Sequence, residues 1–359
     1  MEYDTRAQKL NNIIEAGKVR VPDVLQEIQT EFDKRQDIIA KPEGLLFSVG
    51  KDISTHIRRT DLSGEITEQM GMTHFARNQL LSKTGIPAQF ADRLIEMGET
   101  TLLENNLNIM NNRLNEDGLL LRHIDNKIKG VLSPSYRRMD GAPIIGGFVE
   151  AALRAGYVPY TGTVTDYRYN ICFILPEIYQ PSENEFLVMG IAITTGDYGS
   201  CALQIELVAL RISCLNLMIG TDVMRSIHIG KRFNAEESIV ILSEKTNELD
   251  NKTVASGVSD AVKTSIDLQT GVKNKIKEAA ESTVEININE EIAKMRKKGF
   301  SKDLAESVKL NYEAPLPVEM LPQSKNLWRL SNAMSLIANY QGTPKDVSLD
   351  LQKQAMAIL

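Results

Sequence analysis

The sequence predicts an α+β fold with a central antiparallel sheet, helices packed against it, and a mainly helical C-terminal region. Short β-type runs separated by turn residues fill positions 128 to 215. A helix with clear start and stop signals lies among them. After Phe233 the composition becomes rich in Glu, Lys, Ala, Ser and Asn. We therefore expect a mostly helical region at 1–125, an α+β core at 126–233 and a helical region at 234–359.

The N-terminal region is expected to hold three helices and one short strand. Apolar residues recur at helical spacing over Pro22–Ile39, and Pro22 suits a first helical turn. A strand should follow at 45–49. Two helices are expected within 73–97, divided at Gly85-Ile86-Pro87, because glycine ends helices and proline begins them.

The core region carries the clearest local signals. Asp140 is a good N-cap for a helix that Gly156 should end in the left-handed conformation. Residues 202–210 fit either a strand or a buried helix, because periodicity does not separate the two. Strands are expected at 128–133, 158–165, 167–175 and 186–195, with a turn-rich loop at 194–200.

The C-terminal region is expected to consist of successive helices. Residues 235–312 predict polar helices, and Pro315, Pro317 and Pro322 mark an elbow. A last pair of helices should run over 326–340 and 346–359.

Five segments, in chain order, resemble the phage and plasmid-like protein family known as domain of unknown function 932. They are Arg35–Ala40, Phe75–Phe90, Val131–Asp140, Arg211–Asn216 and Asn326–Ala333. The resemblance implies a mobile-element origin and assigns no activity. Members of that family often have Ser-His-Asp-Gly where this chain has Thr195-Gly196-Asp197-Tyr198-Gly199. The missing histidine argues against acid–base chemistry at that loop.

Composition excludes several classes of protein. The chain is 42% hydrophobic and 25% charged, as expected of a soluble globular protein, and no apolar run is long enough to span a membrane. Its net charge of −6 argues against a uniformly basic nucleic-acid binder. Residues Met1–Asp4 form neither a basic nor an apolar segment, so we expect no secretory signal. We therefore expect a protein of the bacterial host cytoplasm.

Catalytic and metal-binding patterns are missing from the sequence. Cys172, Cys201 and Cys214 show no CxxC spacing, so we expect buried free thiols. The histidines show no metal-binding spacing with one another or with these cysteines. Thr194–Ser200 contains two glycines but matches neither common phosphate-loop motif, so a simple turn is favoured. We expect no catalytic residues, no metal and no cofactor.

Basic residues beside tyrosines form the main candidate binding surface. Cations follow the phosphates of a single strand, and aromatic rings stack on its unpaired bases. The candidates are Tyr136, Arg137, Arg138, Tyr167, Arg168, Tyr169, Lys231 and Arg232. The alternative is that the tyrosines are half-buried sheet residues and the arginines are solvated.

Three functional hypotheses remain open. The first is binding of single-stranded DNA or RNA, assisting recombination, annealing or replication. The second is a structural or interaction protein that self-assembles or binds a host factor through the helices of 235–312; a homo-oligomer is expected. The third is a nucleotide-acting enzyme whose pocket would be formed by Asp197, Glu206, Arg211 and Asn216, because polar residues in apolar strands need partners.

Overall fold

The computed structural model describes residues 2–61, 64–114, 118–183, 185–212, 215–226, 243–315 and 321–359. Within them the chain combines helices with two sheets, which confirms the predicted α+β class. The helices are α1 (Glu2–Lys34), α2 (His74–Thr84), α3 (Ala88–Glu96), α4 (Thr100–Asn111), α5 (Gly141–Arg154), α6 (Glu244–Glu281), α7 (Ile288–Lys297), α8 (Lys302–Glu313), α9 (Leu327–Ala338) and α10 (Lys345–Ala357). The strands are β1 (Arg35–Ala40), β2 (Leu45–Val49), β3 (Ile53–Asp61), β4 (Gly64–Met72), β5 (Leu119–Ile124), β6 (Lys127–Leu132), β7 (Val158–Val164), β8 (Tyr169–Tyr179), β9 (Leu187–Thr195), β10 (Leu203–Arg211) and β11 (Asn216–Ser226). None of the described helices is both long enough and apolar enough to cross a bilayer.

The first sheet has six strands in the order β1-β5-β6-β4-β3-β2. Its neighbours are antiparallel except for β4 and β6, which run parallel where Gly71 pairs with Lys127 and Met72 with Ile128. Helices α2, α3 and α4 cover one face, where Leu80, Leu103 and Leu107 are buried. On the other face, Arg122 of β5 and Gly130 of β6 meet Asp197 and Tyr198 of the loop after β9.

The second sheet is an antiparallel meander in the order β11-β10-β9-β8-β7. Every residue of β9 is buried, so helices must cover both faces. Odd-numbered β9 side chains pack against α5, α6 and the C-terminal helices, and even-numbered ones pack against α1 and α10. The predicted helical region after 233 is confirmed for its described residues, where α6–α10 form much of this cover.

The predicted helix over Pro22–Ile39 is wrong at both ends. Helix α1 begins at Glu2, so Pro22 lies in its interior, and the helix ends at Lys34. Proline removes one backbone hydrogen bond there, but Val21 and Ile28 are anchored in a core shared with α5. Residues 35–40 form β1 instead, because each one pairs with a residue of β5.

The sheet in the N-terminal region was not predicted. Besides its helices, this region contributes β1 to β5, and the expected boundary at 125/126 falls in the turn between β5 and β6. The nine-residue strands β3 and β4 have mixed polar sequences without a strong apolar alternation. Their pairing with each other and with β6 is a tertiary effect that sequence periodicity does not report.

Several local predictions are confirmed. The Thr73 hydroxyl caps α2, and Gly85 ends it at φ 73°. Helix α5 starts after Asp140, and Gly156 follows it at φ 85°. Residues 203–211 form a strand. Asp140 departs from expectation in one respect: its side chain makes no capping hydrogen bond and turns to arginines instead.

Candidate functional site

Charged side chains from distant parts of the chain meet between the two sheets. This arginine–aspartate network consists of Arg35, Asp37, Arg122, Asp140 and Asp197. Arg35 donates from Nη2 to Asp140 at 2.7 Å and from Nη1 to Asp197 at 2.6 Å. Arg122 donates from Nε to Asp37 at 2.9 Å and from Nη2 to Asp140 at 2.8 Å. Its Nη1 donates to the Asp197 carbonyl at 2.7 Å. The network therefore joins β1 and β5 to the turn before α5 and the loop after β9.

Burial raises the pKa of Asp140 and of Asp197, and the neighbouring arginines lower it, but the net shift differs between the two aspartates. Burial acts to raise the pKa of Asp140, but Arg35 and Arg122 outweigh it and hold that pKa below its usual range. Burial dominates at Asp197, whose pKa is raised despite the same two arginines. Since Asp197 is the more deeply buried carboxylate, it depends most on keeping its partners.

The start of α5 supplies a further partner for Asp197. The backbone N–H of Gly141 donates to Asp197 Oδ1 at 2.7 Å, where the helix N-terminus favours negative charge. A Cβ atom at position 141 would lie 3.0 Å from that oxygen and 3.0 Å from the Tyr169 ring. Glycine is therefore the residue that allows this close approach.

Glu31 of α1 forms a second polar group beside the network. Its carboxylate accepts hydrogen bonds from Lys129 Nζ at 2.5 Å, Tyr169 Oη at 3.0 Å and Tyr198 Oη at 3.4 Å. Burial is the first cause that raises the pKa of both tyrosines. Both remain protonated donors at neutral pH, and together with Lys129 of β6 they tie α1 to both sheets.

The first turns of α6 close over the 137–140 turn. Arg137 makes a two-pronged ion pair with Asp250, with both N···O distances at 2.7 Å. Arg138 donates to Glu244 at 2.8 Å and lies 3.3 Å from Asp37. Asn251 exchanges two hydrogen bonds with Asp140, one through the backbone. The predicted basic turn is thus held by carboxylates and an amide of the same chain.

An open cleft of about 710 Å³ lies between β1, the 138–143 turn and α6. Arg35, Arg122, Arg138 and Lys252 bring four cations to it, and Asp37, Asp140, Glu244 and Glu248 bring four carboxylates. Phe32, Pro143 and Ala255 supply apolar walls. Asn247 also lines the cleft, and no hydrogen bond joins its side-chain amide to any described residue although the residue is only 8% exposed.

The predicted tyrosines differ in how far their rings are accessible to a base. Tyr169 is 1% exposed and donates to Glu31, so its ring cannot stack on a base; that prediction is wrong. Tyr136 is partly buried, and burial raises its pKa. Tyr167 already stacks on Phe75, with ring centres 4.6 Å apart, and burial raises its pKa to about 12.

The predicted basic residues fall into three groups. Arg137 and Arg138 face α6, and Arg138 lines the cleft. Arg168 lies elsewhere, 3.2 Å from Asp350 and 4.0 Å from Asp346 of α10. Lys231 and Arg232 lie outside the described residues.

The predicted pocket of Asp197, Glu206, Arg211 and Asn216 is not assembled. Arg211 makes a two-pronged ion pair with Glu185, with both distances at 2.7 Å. Glu206 lies five positions away on β10, so it points to the opposite face, where it pairs with Lys353 at 2.6 Å. Asp197 belongs to the arginine–aspartate network. Asn216 is the first residue of β11, opposite Arg211 in the ladder.

Cysteines and metal ligands give no site in the described part of the chain. Cys172 and Cys201 are free thiols there, and burial raises the pKa of each. Cys214 lies outside the described residues. Among the residues the structure describes, no group of histidine, cysteine, aspartate or glutamate could hold a metal ion.

Sequence reasoning missed Arg35, Asp37, Arg122, Asn247 and Asn251 as site residues. One signal was present: Arg122 directly follows the apolar run Leu119–Leu121. A charge within a buried strand requires a partner, so it indicates an ion pair or a ligand site. The asparagines carry no comparable signal in the polar sequence of α6.

Comparisons with known proteins add no relative. Neither the family models, nor the curated proteins, nor the solved structures that were searched contain a match to this chain.

Proposed function

We propose that this chain is a mobile-element protein that binds single-stranded nucleic acid in the host cytoplasm and assists recombination, annealing or replication. The observation that carries the proposal is the cleft, where four separated parts of the chain place a cation. Arginine and lysine are the residues that recognise phosphate groups. A cleft in this size range admits an unpaired nucleotide, whereas a base within a duplex is held in the stack.

Phosphate contacts, rather than stacking on tyrosine, are expected to supply the affinity. Arg35 and Arg122 already form ion pairs with aspartates, so they shape the cleft and add positive electrostatic potential to it. Arg138 and Lys252 remain for direct contact, because the Glu244 partner of Arg138 is 82% exposed and Lys252 is exposed. Exposed ion pairs are weak, about 0–1 kcal/mol, so a phosphate can replace Glu244.

The test is fluorescence anisotropy with labelled single-stranded DNA, duplex DNA and single-stranded RNA of equal length. We expect salt-dependent binding that favours a single strand. Arg138→Ala should weaken it. Arg168→Ala is the matched control, because Arg168 is also ion-paired but does not line the cleft. No binding to any of the three near physiological salt would contradict the proposal.

A second candidate is an interaction protein, and a specific surface favours it. Helices α3 and α4 and the turn between them expose large apolar side chains. They are Phe90, Met97, Leu102, Ile109 and Met110, with Met97 63% exposed. This surface differs from the predicted one, since the described helices of 243–312 cover the second sheet.

Light scattering tests this candidate with a second copy of the chain as the partner. A dimer or larger assembly that dissociates in the Leu102→Lys, Ile109→Lys double variant would support it. Leu310→Lys is the control, because Leu310 is 67% exposed but lies on α8. A wild-type monomer at high concentration would contradict self-association.

A further inference from the structure

The cleft is shaped for more than the phosphate backbone. We propose that it is a binding site for a nucleoside phosphate, either free or as one unit of a strand, in which Arg138 and Lys252 hold the phosphate and Asn247 bonds to the base. The assignment rests on the function proposed above and names the ligand class of that site.

Asn247 is the residue that points to a ligand. The residue is 8% exposed and lines the cleft, and its side-chain amide makes no hydrogen bond to the described residues. The amide is not among the polar atoms that are sealed from solvent without a partner, so it faces the open cleft, where a ligand can replace the water that it contacts. An amide offers a donor and an acceptor side by side, which matches the edge of a nucleobase.

Its neighbour Asn251 shows how selective this feature is. Asn251 lies one helical turn further along α6 and is also buried, but its amide is fully engaged by Asp140. Two asparagines on the same helix face therefore have different roles. Asn251 holds the turn before α5, and Asn247 is left facing the cleft.

Glu244 occupies the place that a phosphate would take. Its carboxylate contacts Arg138 Nη1 at 2.8 Å from the first turn of α6. Asp37 orients the Arg138 guanidinium on its buried side, and the solvent-exposed Glu244 carboxylate contacts its outer side. This arrangement allows a phosphate to replace the outer carboxylate. The N-terminus of α6 adds positive potential at the same point.

The apolar walls complete the fit. Phe32 lies beneath Arg35, with the guanidinium carbon 5.0 Å from the ring centre, and Pro143 and Ala255 border the same space. A base has apolar faces and a polar edge, so it suits a cleft that combines these walls with one amide. The volume of about 710 Å³ falls in the range of small-molecule sites.

Calorimetric titration with adenosine 5′-monophosphate, adenosine and inorganic phosphate tests the site. Anisotropy with a labelled single-stranded oligonucleotide runs in parallel. We expect the monophosphate to bind more tightly than either fragment. Asn247→Asp, which keeps the side-chain shape but removes the donor and adds a repelling charge, should weaken binding about tenfold or more.

Two further variants separate the roles of the charges. Glu244→Gln should tighten binding severalfold, because it removes the competing anion without changing the side-chain shape. Lys252→Ala should weaken it. Lys245→Ala is the matched control, since Lys245 is exposed on the same helix but does not line the cleft. A thermal melt of each variant confirms that it is folded.

The possible outcomes are distinct. The site is supported if the monophosphate binds more tightly than adenosine or inorganic phosphate and each cleft variant changes the affinity in the expected direction. If the oligonucleotide binds but the monophosphate does not, the site is overturned and the proposed function stands. If the monophosphate binds but the oligonucleotide does not, the site stands and the proposed function falls. Binding that none of the three cleft variants changes, or phosphate binding as tight as the monophosphate, overturns the assignment of these residues.

Discussion

At the scale of single residues, the main feature is a set of charges that neutralise one another away from water. Arg122 is 1% exposed and contacts three aspartates, two through their side chains and one through a carbonyl. Breaking a buried ion pair is costly because it leaves charges without compensation. These residues therefore hold the site in shape even where they do not touch a ligand.

Arg122→Met should lower the free energy of unfolding by about 3–5 kcal/mol, because it leaves buried aspartates without their partner. Urea unfolding followed by circular dichroism measures the change. Arg154→Ala is the control: its ion pair with Glu150 is exposed on both sides, and we expect a loss below about 0.5 kcal/mol. Equal losses in the two variants would show that the network does not stabilise the fold.

Asp140→Asn should destabilise the protein at neutral pH and progressively less in acid. The folded-state pKa of Asp140 lies below its usual value of 3.8, so its stabilising contribution is complete above that pH and is lost as pH falls through the folded value. Urea unfolding of wild type and variant at pH 7 and at steps from about pH 4 down to about pH 2 measures the difference. A difference that stays constant down to about pH 2 would contradict the ion-paired role.

The residue-scale contacts were the least predictable part of the molecule. Arg35 and Asp197 are 162 positions apart, and Arg122 and Asp37 are 85 apart, so local patterns hold no trace of either pair. The sequence singled out Arg137 and Arg138 because both are basic and stand beside a tyrosine. It could not show that Asp250 and Glu244, more than 100 positions later, would meet them.

At the scale of elements, α5 and α6 position the cleft. The N-terminus of α5 is fixed by Asp197, and the first turns of α6 are fixed by Arg137, Arg138 and Asp140. The caps and stop signals of α5 were readable from the sequence because they are local. The strands β3 and β4 were not, because their sequences are polar and their pairing decides their structure.

Gly141→Ala should destabilise the start of α5 by about 1–3 kcal/mol, because its Cβ would press on Asp197 and Tyr169 at 3.0 Å. Gly146→Ala in the same helix is the matched control. No atom lies within 4 Å of the Cβ position there, so alanine should stabilise by about 0.5–1 kcal/mol. Thermal melts of both variants measure the contrast, and equal effects would contradict the close approach at Gly141.

At the scale of the whole molecule, the network connects parts of the chain with separate cores. The first sheet and helices α2–α4 share one core, and the C-terminal helices share another with the second sheet. The single tryptophan, Trp328, is buried in the latter. The predicted α+β class and helical C-terminal region are correct at this scale, because they follow from composition and period. Neither the composition nor the periodicity of the sequence indicates the junction between the two sheets.

Unfolding should be cooperative across that junction. We expect the fluorescence of Trp328 and the far-ultraviolet circular dichroism of the whole chain to change at the same urea concentration in the wild type. In Arg122→Met the two transitions should separate, since the N-terminal core loses one of its ionic connections to the rest and retains the other through Arg35. Transitions that stay coincident in the variant would show that other contacts couple the two cores.

We propose that a single strand binds through cations of the cleft, and the salt dependence of the affinity is the most direct test of that binding. Each phosphate contact contributes about 0.7 to the slope of log K against log salt concentration for a single strand. We predict that Lys252→Ala reduces the slope by about that amount, while Lys245→Ala leaves it unchanged. Equal slopes for wild type and Lys252→Ala would place the strand on another surface and contradict the account.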